Sequence, residues 1–355
     1  MNHPLDNAII FGSLGMGEVI QITPLIAALR SPTLVVKDWH VPVFDRLGWD
    51  VRTLSPGNYR PGRTIELTRA DADALGLDHR PCIAPLIRGG IFIDGEPAPT
   101  LVPGVMGRCP RHLSLTEKML AEYGVEGSAG MHVSRIARPD RCRTLTIASS
   151  AEELRTVPPH VILGLVRRIS GWQVNIIGSV NPSEIAEIEA VNGGRTEITV
   201  RYPASLTPSE FEAVLATVQR SHVVVATDCG WAYAALASGI KTYILQSHVV
   251  FETLVPRAYW GPHGLAEPVG PMSKLSCDRQ CSAQRLLAAM PPGVARPYAE
   301  FEDYRHMTPD WRDRYYISGY PRTLACWGTI NPPCMDYDEA TLDRLAAQVL
   351  DAPQP

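Results

Sequence analysis

The feature that most constrains this chain is an alternation of short apolar runs with amphipathic helical segments. Near the N-terminus, apolar runs at 8–11 and 33–36 flank a segment whose apolar residues recur every three or four positions, as on one face of a helix. The same alternation returns from 144 to 247. Strands that alternate with helices of this length predict parallel sheets with right-handed crossovers. We therefore expect an α/β protein that contains two Rossmann-like halves.

Length and composition agree with that expectation and limit the classes of partner that the chain could bind. A chain of 355 residues is long enough for two α/β domains. The formal net charge of -4 gives no electrostatic reason to expect nucleic acid or an anionic membrane surface as a partner. No run approaches a membrane span, and the N-terminus lacks the features of a signal peptide. We expect a cytoplasmic protein without a membrane span, and its homo-oligomeric state stays open.

Polar and proline-rich segments suggest where the domains end. The run 137–140 has the composition of a linker, which gives a first domain over 1–140 and a second over 141–275. Residues 276–355 form a loop-rich extension with many prolines and several cysteines, ending in a helix over 338–350. Residues 55–110 are rich in Pro, Gly and Arg, and we expect them to form insertions around an acceptor pocket.

A glycine loop follows the first predicted strand. Gly12, Gly15 and Gly17 have neither the spacing of the dinucleotide fingerprint nor the lysine of a phosphate-binding loop. Glycines at a helix N-terminus let backbone amides approach a ligand. Glu18, at the mouth of the loop, would repel a phosphate. It fits better as a proton acceptor that faces a hydroxyl group.

A second polar turn, 227–230, lies between an apolar run and an alanine-rich helical segment. In a βαβ unit this turn lies at the carboxyl edge of the sheet, where open α/β folds bind ligands. Asp228 and Gly230 would meet a ligand there. The alternative is structural, because Asp commonly caps a helix and Gly commonly occupies a loop.

Three separated segments resemble the heptosyltransferase-like glycosyltransferases, glycosyltransferase family 9. Residues 15–30, which contain the run TPLIAALR, look like the first loop and helix of that family. Residues 223–239 resemble its second signature, and 176–189 resemble its nucleotide-side segment. The resemblance implies a GT-B fold, in which two Rossmann-like domains face a central cleft. It also implies that the acceptor binds the first domain, the nucleotide-sugar binds the second, and the C-terminal helix packs back on the first domain.

The resemblance further implies an inverting, metal-independent transfer of a sugar from a nucleotide-diphosphate sugar to an acceptor hydroxyl. Glu18 stands at the position of the family's catalytic Asp, as the general base, and Gly15 and Gly17 belong to the acceptor-side loop. The positions that match donor-binding segments are Ser149, Ser150, Arg155, Gly178, Glu184, Asp228, Cys229, Gly230 and Trp231. An ADP-type donor is favoured, and a heptose is one candidate sugar. The acceptor, whether protein or glycan, is unknown.

Several positions depart from the family pattern. Glu18 replaces Asp, Arg155 replaces Lys, and the second signature has Cys229 for Thr and Tyr233 for His. These departures leave the donor sugar open. They also leave two alternatives to a transferase: a non-catalytic nucleotide- or sugar-binding or assembly protein of the same fold, and a nucleotide-sugar 2-epimerase.

Four cysteines in the C-terminal extension are candidate metal ligands. Cys277, Cys281, Cys326 and Cys334 form two pairs whose thiolates would suit a structural zinc or iron. The spacings are looser than in the common zinc knuckle, so thiols without a metal are the alternative. Some protein-modifying heptosyltransferases carry a cysteine-held iron, and the paired cysteines of this chain resemble theirs. No cofactor is expected to be required for catalysis.

Overall fold

We describe the fold from a computed structural model of the chain. It describes residues 3–12, 15–60, 64–85, 87, 90–99, 101–102, 113–135, 143–149, 157, 159–178, 182–194, 197–201, 207–245, 251–261, 263–270, 316–317, 320–321 and 337–352.

Within these residues the chain alternates strands and helices over both halves. The strands are β1 Ile9–Phe11, β2 Thr33–Lys37, β3 Asp50–Leu54, β4 Tyr59–Arg60, β5 Thr64–Leu67, β6 Cys82–Ile83, β7 Gly90–Ile93, β8 Glu96–Pro97, β9 Leu101–Val102, β10 Thr144–Ala148, β11 Gln173–Ile177, β12 Glu197–Arg201, β13 Val223–Ala226, β14 Lys241–Leu245, β15 Ala266–Val269, β16 Tyr316–Ile317 and β17 Tyr320–Pro321. The α-helices are α1 Met16–Gln21, α2 Thr23–Ala28, α3 Val41–Phe44, α4 Arg69–Leu75, α5 Leu115–Glu122, α6 Pro159–Arg168, α7 Pro182–Asn192, α8 Pro208–Arg220, α9 Gly230–Ala237, α10 Phe251–Leu254 and α11 Glu339–Leu350. None of these helices combines the length and the apolarity that crossing a membrane would require.

Local sequence explains several helix starts. Capping boxes, in which a Ser or Thr and an acidic residue three positions later satisfy each other's backbone amides, begin α4, α5 and α8. The first helical segment of the chain is broken in two: α1 ends at Gln21, and α2 begins at Thr23 with Pro24 in its first turn. Proline is tolerated in the first turn of a helix but not in its interior, which accounts for the start of α2 at this point.

Each half contains a parallel sheet with the strand order of a Rossmann fold. The described strands of the first sheet lie in the order β3-β2-β1-β6-β9, and those of the second in the order β12-β11-β10-β13-β14-β15. All the pairings within both sheets are parallel. In each sheet the strand order reverses beside the first strand. This reversal creates a crevice at the carboxyl ends of the strands.

The described residues between 55 and 102 are more regular than their sequence indicates. They supply β6 and β9 of the first sheet, the helix α4, and a separate sheet in the order β4-β5-β7-β8. Ile65, Ile91 and Ile93 of that small sheet are buried in one apolar cluster with Ile9 and Phe11 of β1. The segment is therefore folded against one face of the first domain. Its strands are too short to show a clear alternation.

The C-terminal helix packs on the second domain, which corrects the prediction that it returns to the first. Leu342, Leu345 and Val349 are buried in one apolar cluster with α6 and the second sheet. Arg168 of α6 pairs with Glu339 and, at 2.7 Å, with Asp343 of α11. The apolar face of α11 does not by itself specify which surface the helix covers.

Candidate active site between the two domains

The crevice of the second sheet collects several of the predicted donor positions. The register pairs Ala148 of β10 with Ile177 of β11 on one side and with Ala226 of β13 on the other. Ser149, Gly178 and Thr227 therefore follow three adjacent strands at the same carboxyl edge. This is the place where open α/β sheets bind ligands.

Ser149 is held tightly in this edge. Its side chain is buried, its backbone N–H donates to Ile177 O at 2.7 Å, and its hydroxyl donates to the same oxygen at 3.1 Å. With its proton directed at Ile177, the hydroxyl would have to rotate to donate to a phosphate. Ser150, Arg155 and the side chain of Glu184 lie outside the described residues.

The turn after β13 leads directly into α9. Cys229 occupies the N-cap position with an extended backbone, and α9 begins at Gly230. The Trp231 side chain is buried and packs against Phe211, with ring centroids 5.6 Å apart. Trp231 therefore offers only its backbone amide to this edge, because its indole belongs to the core.

Asp228 has a partner that the sequence did not suggest. The Tyr233 hydroxyl donates to Asp228 Oδ1 at 2.5 Å, and both side chains are buried. Side chains on a helix lean towards its N-terminus, so a residue in the first turns can reach back to the preceding loop. That rule, applied to Tyr233, is the signal that could have predicted this contact.

The first domain meets this turn through its glycine loop. A Cβ atom on Gly17 would lie 3.2 Å from both Cα and N of Gly230, and 3.1 Å from Cδ2 of Tyr233. A Cβ on Gly230 would lie 3.0 Å from Gly17 N. The N-terminal turns of α1 and α9 are thus in backbone contact across the domain boundary. This contact brings the segment that carries the predicted base close to the predicted donor turn, although the two are far apart in sequence.

Glu18 lies in the first turn of α1, one residue after this contact, and is half-buried. Its carboxylate turns towards the start of the helix, since a Cβ on Gly15 would lie 3.7 Å from Glu18 Oε2. A carboxylate in this position could accept a proton from a hydroxyl group that entered beside Gly15.

Other contacts join the two domains around this point. The Tyr259 hydroxyl accepts a hydrogen bond from Met131 N at 2.7 Å. Gln219 of α8 donates to Ser134 O at 2.6 Å, and both residues are buried. Buried polar groups satisfied in this way fix the relative position of the segments that carry them.

The structure does not reach the predicted metal ligands. Cys277, Cys281, Cys326 and Cys334 lie outside the described residues, so the zinc or iron remains a prediction. Among the residues that are described, no group of His, Cys, Asp and Glu side chains could hold a metal ion. Cys82 and Cys229 are buried thiols.

Comparison with protein-family models and with curated proteins finds no match for this sequence. Solved structures share its fold. A family 9 glycosyl transferase from Veillonella parvula DSM 2008 is 12% identical with a TM-score of 0.52, over 79% of this chain and 91% of that one. The ADP-heptose LPS heptosyltransferase II of E. coli is 10% identical with a TM-score of 0.50, over 75% of this chain and 91% of that one. The chain therefore has the GT-B fold, as its resemblance to family 9 implied.

Proposed function

We propose that this protein transfers a sugar from a nucleotide-diphosphate sugar to an acceptor hydroxyl, with Glu18 as the general base. The observation that carries the proposal is the backbone contact between Gly17 and Gly230. It supports the proposal because Glu18 directly follows Gly17, and Gly230 begins α9 just after the carboxyl end of β13. A single displacement needs this arrangement, because the base must reach the attacking hydroxyl while the donor is bound alongside.

In this reaction the acceptor oxygen attacks the anomeric carbon as Glu18 takes its proton. The bond between that carbon and the diphosphate oxygen breaks, and the sugar is transferred with inversion. The leaving diphosphate gains negative charge as the bond breaks. The amides of Gly230 and Trp231 at the start of α9, with Arg155, would stabilise that charge without a catalytic metal.

The donor and acceptor would divide between the domains. We assign the acceptor to the first domain, 1–140, and the donor to the second, 141–275. One structure of the same fold is a heptosyltransferase that is named for ADP-heptose, which favours an ADP-linked sugar and a heptose here. The acceptor is a hydroxyl-bearing protein or glycan.

Glu18→Gln tests the proposed base directly. The amide cannot accept the proton but keeps nearly the same shape, so transfer should fall by about 10²- to 10⁴-fold. Donor affinity should stay within about twofold of that of the unmodified protein. The measurement is sugar transfer in single turnover, together with calorimetric titration of the donor.

Glu126→Gln is the matched control for this variant. Glu126 is exposed on the segment that follows α5, so its neutralisation should leave transfer unchanged. Full transfer activity in Glu18→Gln would contradict the assignment of the base. Donor binding without transfer in the unmodified protein would favour the non-catalytic alternative.

A further inference from the structure

Tyr233 lies where the two halves of the proposed site meet. It is the fourth residue of α9, and its side chain is 3% exposed. Its hydroxyl contacts Asp228 in the turn before the helix, at 2.5 Å. Its ring faces the first domain, since Cδ2 would lie 3.1 Å from a Cβ on Gly17. One side chain therefore contacts both the donor turn and the loop that precedes Glu18.

We propose that Tyr233 is a positioning residue that orients the Asp228 carboxylate towards the sugar hydroxyls of the donor. This inference rests on the proposed function. Asp228 is 8% exposed at the carboxyl edge of the second sheet, where a bound donor would lie. A hydrogen bond to one carboxylate oxygen restricts rotation of the whole group, which fixes the direction in which the other oxygen points.

The chemistry of Asp228 and Tyr233 indicates which part of the donor they would recognise. A carboxylate repels the diphosphate but accepts hydrogen bonds from sugar hydroxyls. Tyr233 should therefore affect recognition of the sugar and leave recognition of the nucleotide diphosphate nearly unchanged. A purely structural hydrogen bond that fastens the start of α9 would affect both ligands alike.

Tyr233→Phe separates these two roles. Phenylalanine keeps the ring against Gly17 and removes only the hydroxyl. The probes are ADP, GDP, UDP and dTDP, the corresponding nucleotide-diphosphate hexoses, and ADP-heptose, titrated by calorimetry into the full chain. We expect affinity for the nucleotide-diphosphate sugar that the unmodified protein binds to fall about tenfold, and affinity for the matching nucleotide diphosphate to change less than about twofold.

Two further variants complete the test. If Tyr233 acts through Asp228, then Asp228→Asn combined with Tyr233→Phe should bind the same nucleotide-diphosphate sugar as weakly as Asp228→Asn alone, within about twofold. Tyr243→Phe is the matched control. It removes a tyrosine hydroxyl that donates to Gln348 O at 3.0 Å, a contact between β14 and α11. This control should leave both affinities unchanged.

The possible outcomes distinguish the role of Tyr233 from the proposed function. A loss confined to the sugar-bearing ligand supports the role of Tyr233. Equal losses for both ligands, or no loss, would overturn it while the proposed function stands. If the unmodified protein binds no nucleotide-diphosphate sugar, ADP-heptose included, the proposed function itself fails, and the role of Tyr233 fails with it.

Discussion

At the level of single residues, positions 17 and 230 accommodate only glycine, because there is no room for a side chain at Gly17 or Gly230. The backbone of neither residue lies in the left-handed region that favours glycine. What excludes a side chain is the opposite helix, because the atoms a Cβ would meet include backbone atoms that cannot rotate away. Glycine at these positions therefore allows the two domains to approach within backbone contact.

Gly17→Ala should push the two helices apart. Its Cβ would contact Gly230 Cα and N at 3.2 Å, so α1 or α9 must shift by a few tenths of an ångström. Overpacking of this kind costs about 1–3 kcal/mol of unfolding free energy, which urea denaturation would measure. Gly57→Ala is the control, because the nearest atom to its Cβ would be Ser55 Oγ at 3.7 Å. Equal stability of the two variants would show that the contact imposes no constraint.

At the scale of elements, the attachment of α11 to α6 depends on a small residue at the helix crossing. A Cβ on Gly164 would lie 2.4 Å from Leu342 Cδ1, so the leucine occupies the space above the glycine. The side chain of Arg168, one turn further along α6, reaches acidic residues of α11. The close approach and the charged pairs together hold the C-terminal helix on the second domain.

A double-mutant cycle tests this crossing. Leu342→Ala should cost about 2–5 kcal/mol of unfolding free energy through lost burial and a cavity. Gly164→Ala should cost about 1–3 kcal/mol through overpacking. In the double variant the new methyl group enters the vacated space, so the combined loss should be smaller than the sum of the two. Strict additivity in urea denaturation would contradict the contact.

The elements also show what could be predicted from sequence. The strands from β10 to β14 are short runs rich in apolar and β-branched residues, separated by helical segments, so their parallel sheet could be predicted from the alternation alone. The surface on which α11 packs could not be predicted in this way. An apolar stripe indicates that a helix covers another surface, but it does not indicate which surface. The contact between Gly17, the residue before Glu18, and Gly230 was implied only by the family resemblance, through its two domains that face a central cleft. The Tyr233 contact depends on side-chain direction, which a linear pattern does not display.

At the scale of the whole molecule, the domains meet through a buried apolar surface that includes a histidine. His40 is 1% exposed, and its ring lies 5.9 Å from that of Phe211 on α8. Burial, together with the nearby charge of Lys37, lowers the pKa of His40 to about 3. The imidazole is therefore neutral in the folded protein over the physiological range.

This pKa predicts that acid weakens the folded state. Between pH 6.5 and about 3, the unfolded chain binds a proton at His40 and the folded protein does not. Stability should therefore fall with decreasing pH in that interval, by up to about 1.4 kcal/mol per pH unit from this group. His40→Phe should remove that part of the slope in urea denaturation between pH 7 and 4. Identical slopes for the two proteins would contradict the buried neutral imidazole.

The proposed function requires the crevice between the domains to bind a nucleotide-diphosphate sugar. Its most direct test is a thermal-shift screen of the full chain against ADP-, GDP-, UDP- and dTDP-sugars. A ligand that binds only the folded state at about 100 times its Kd adds about 2.7 kcal/mol of stability. We predict stabilisation by the sugars of one nucleotide class, reduced in Asp228→Asn. If no nucleotide-diphosphate sugar stabilises the protein, the proposed donor site is contradicted.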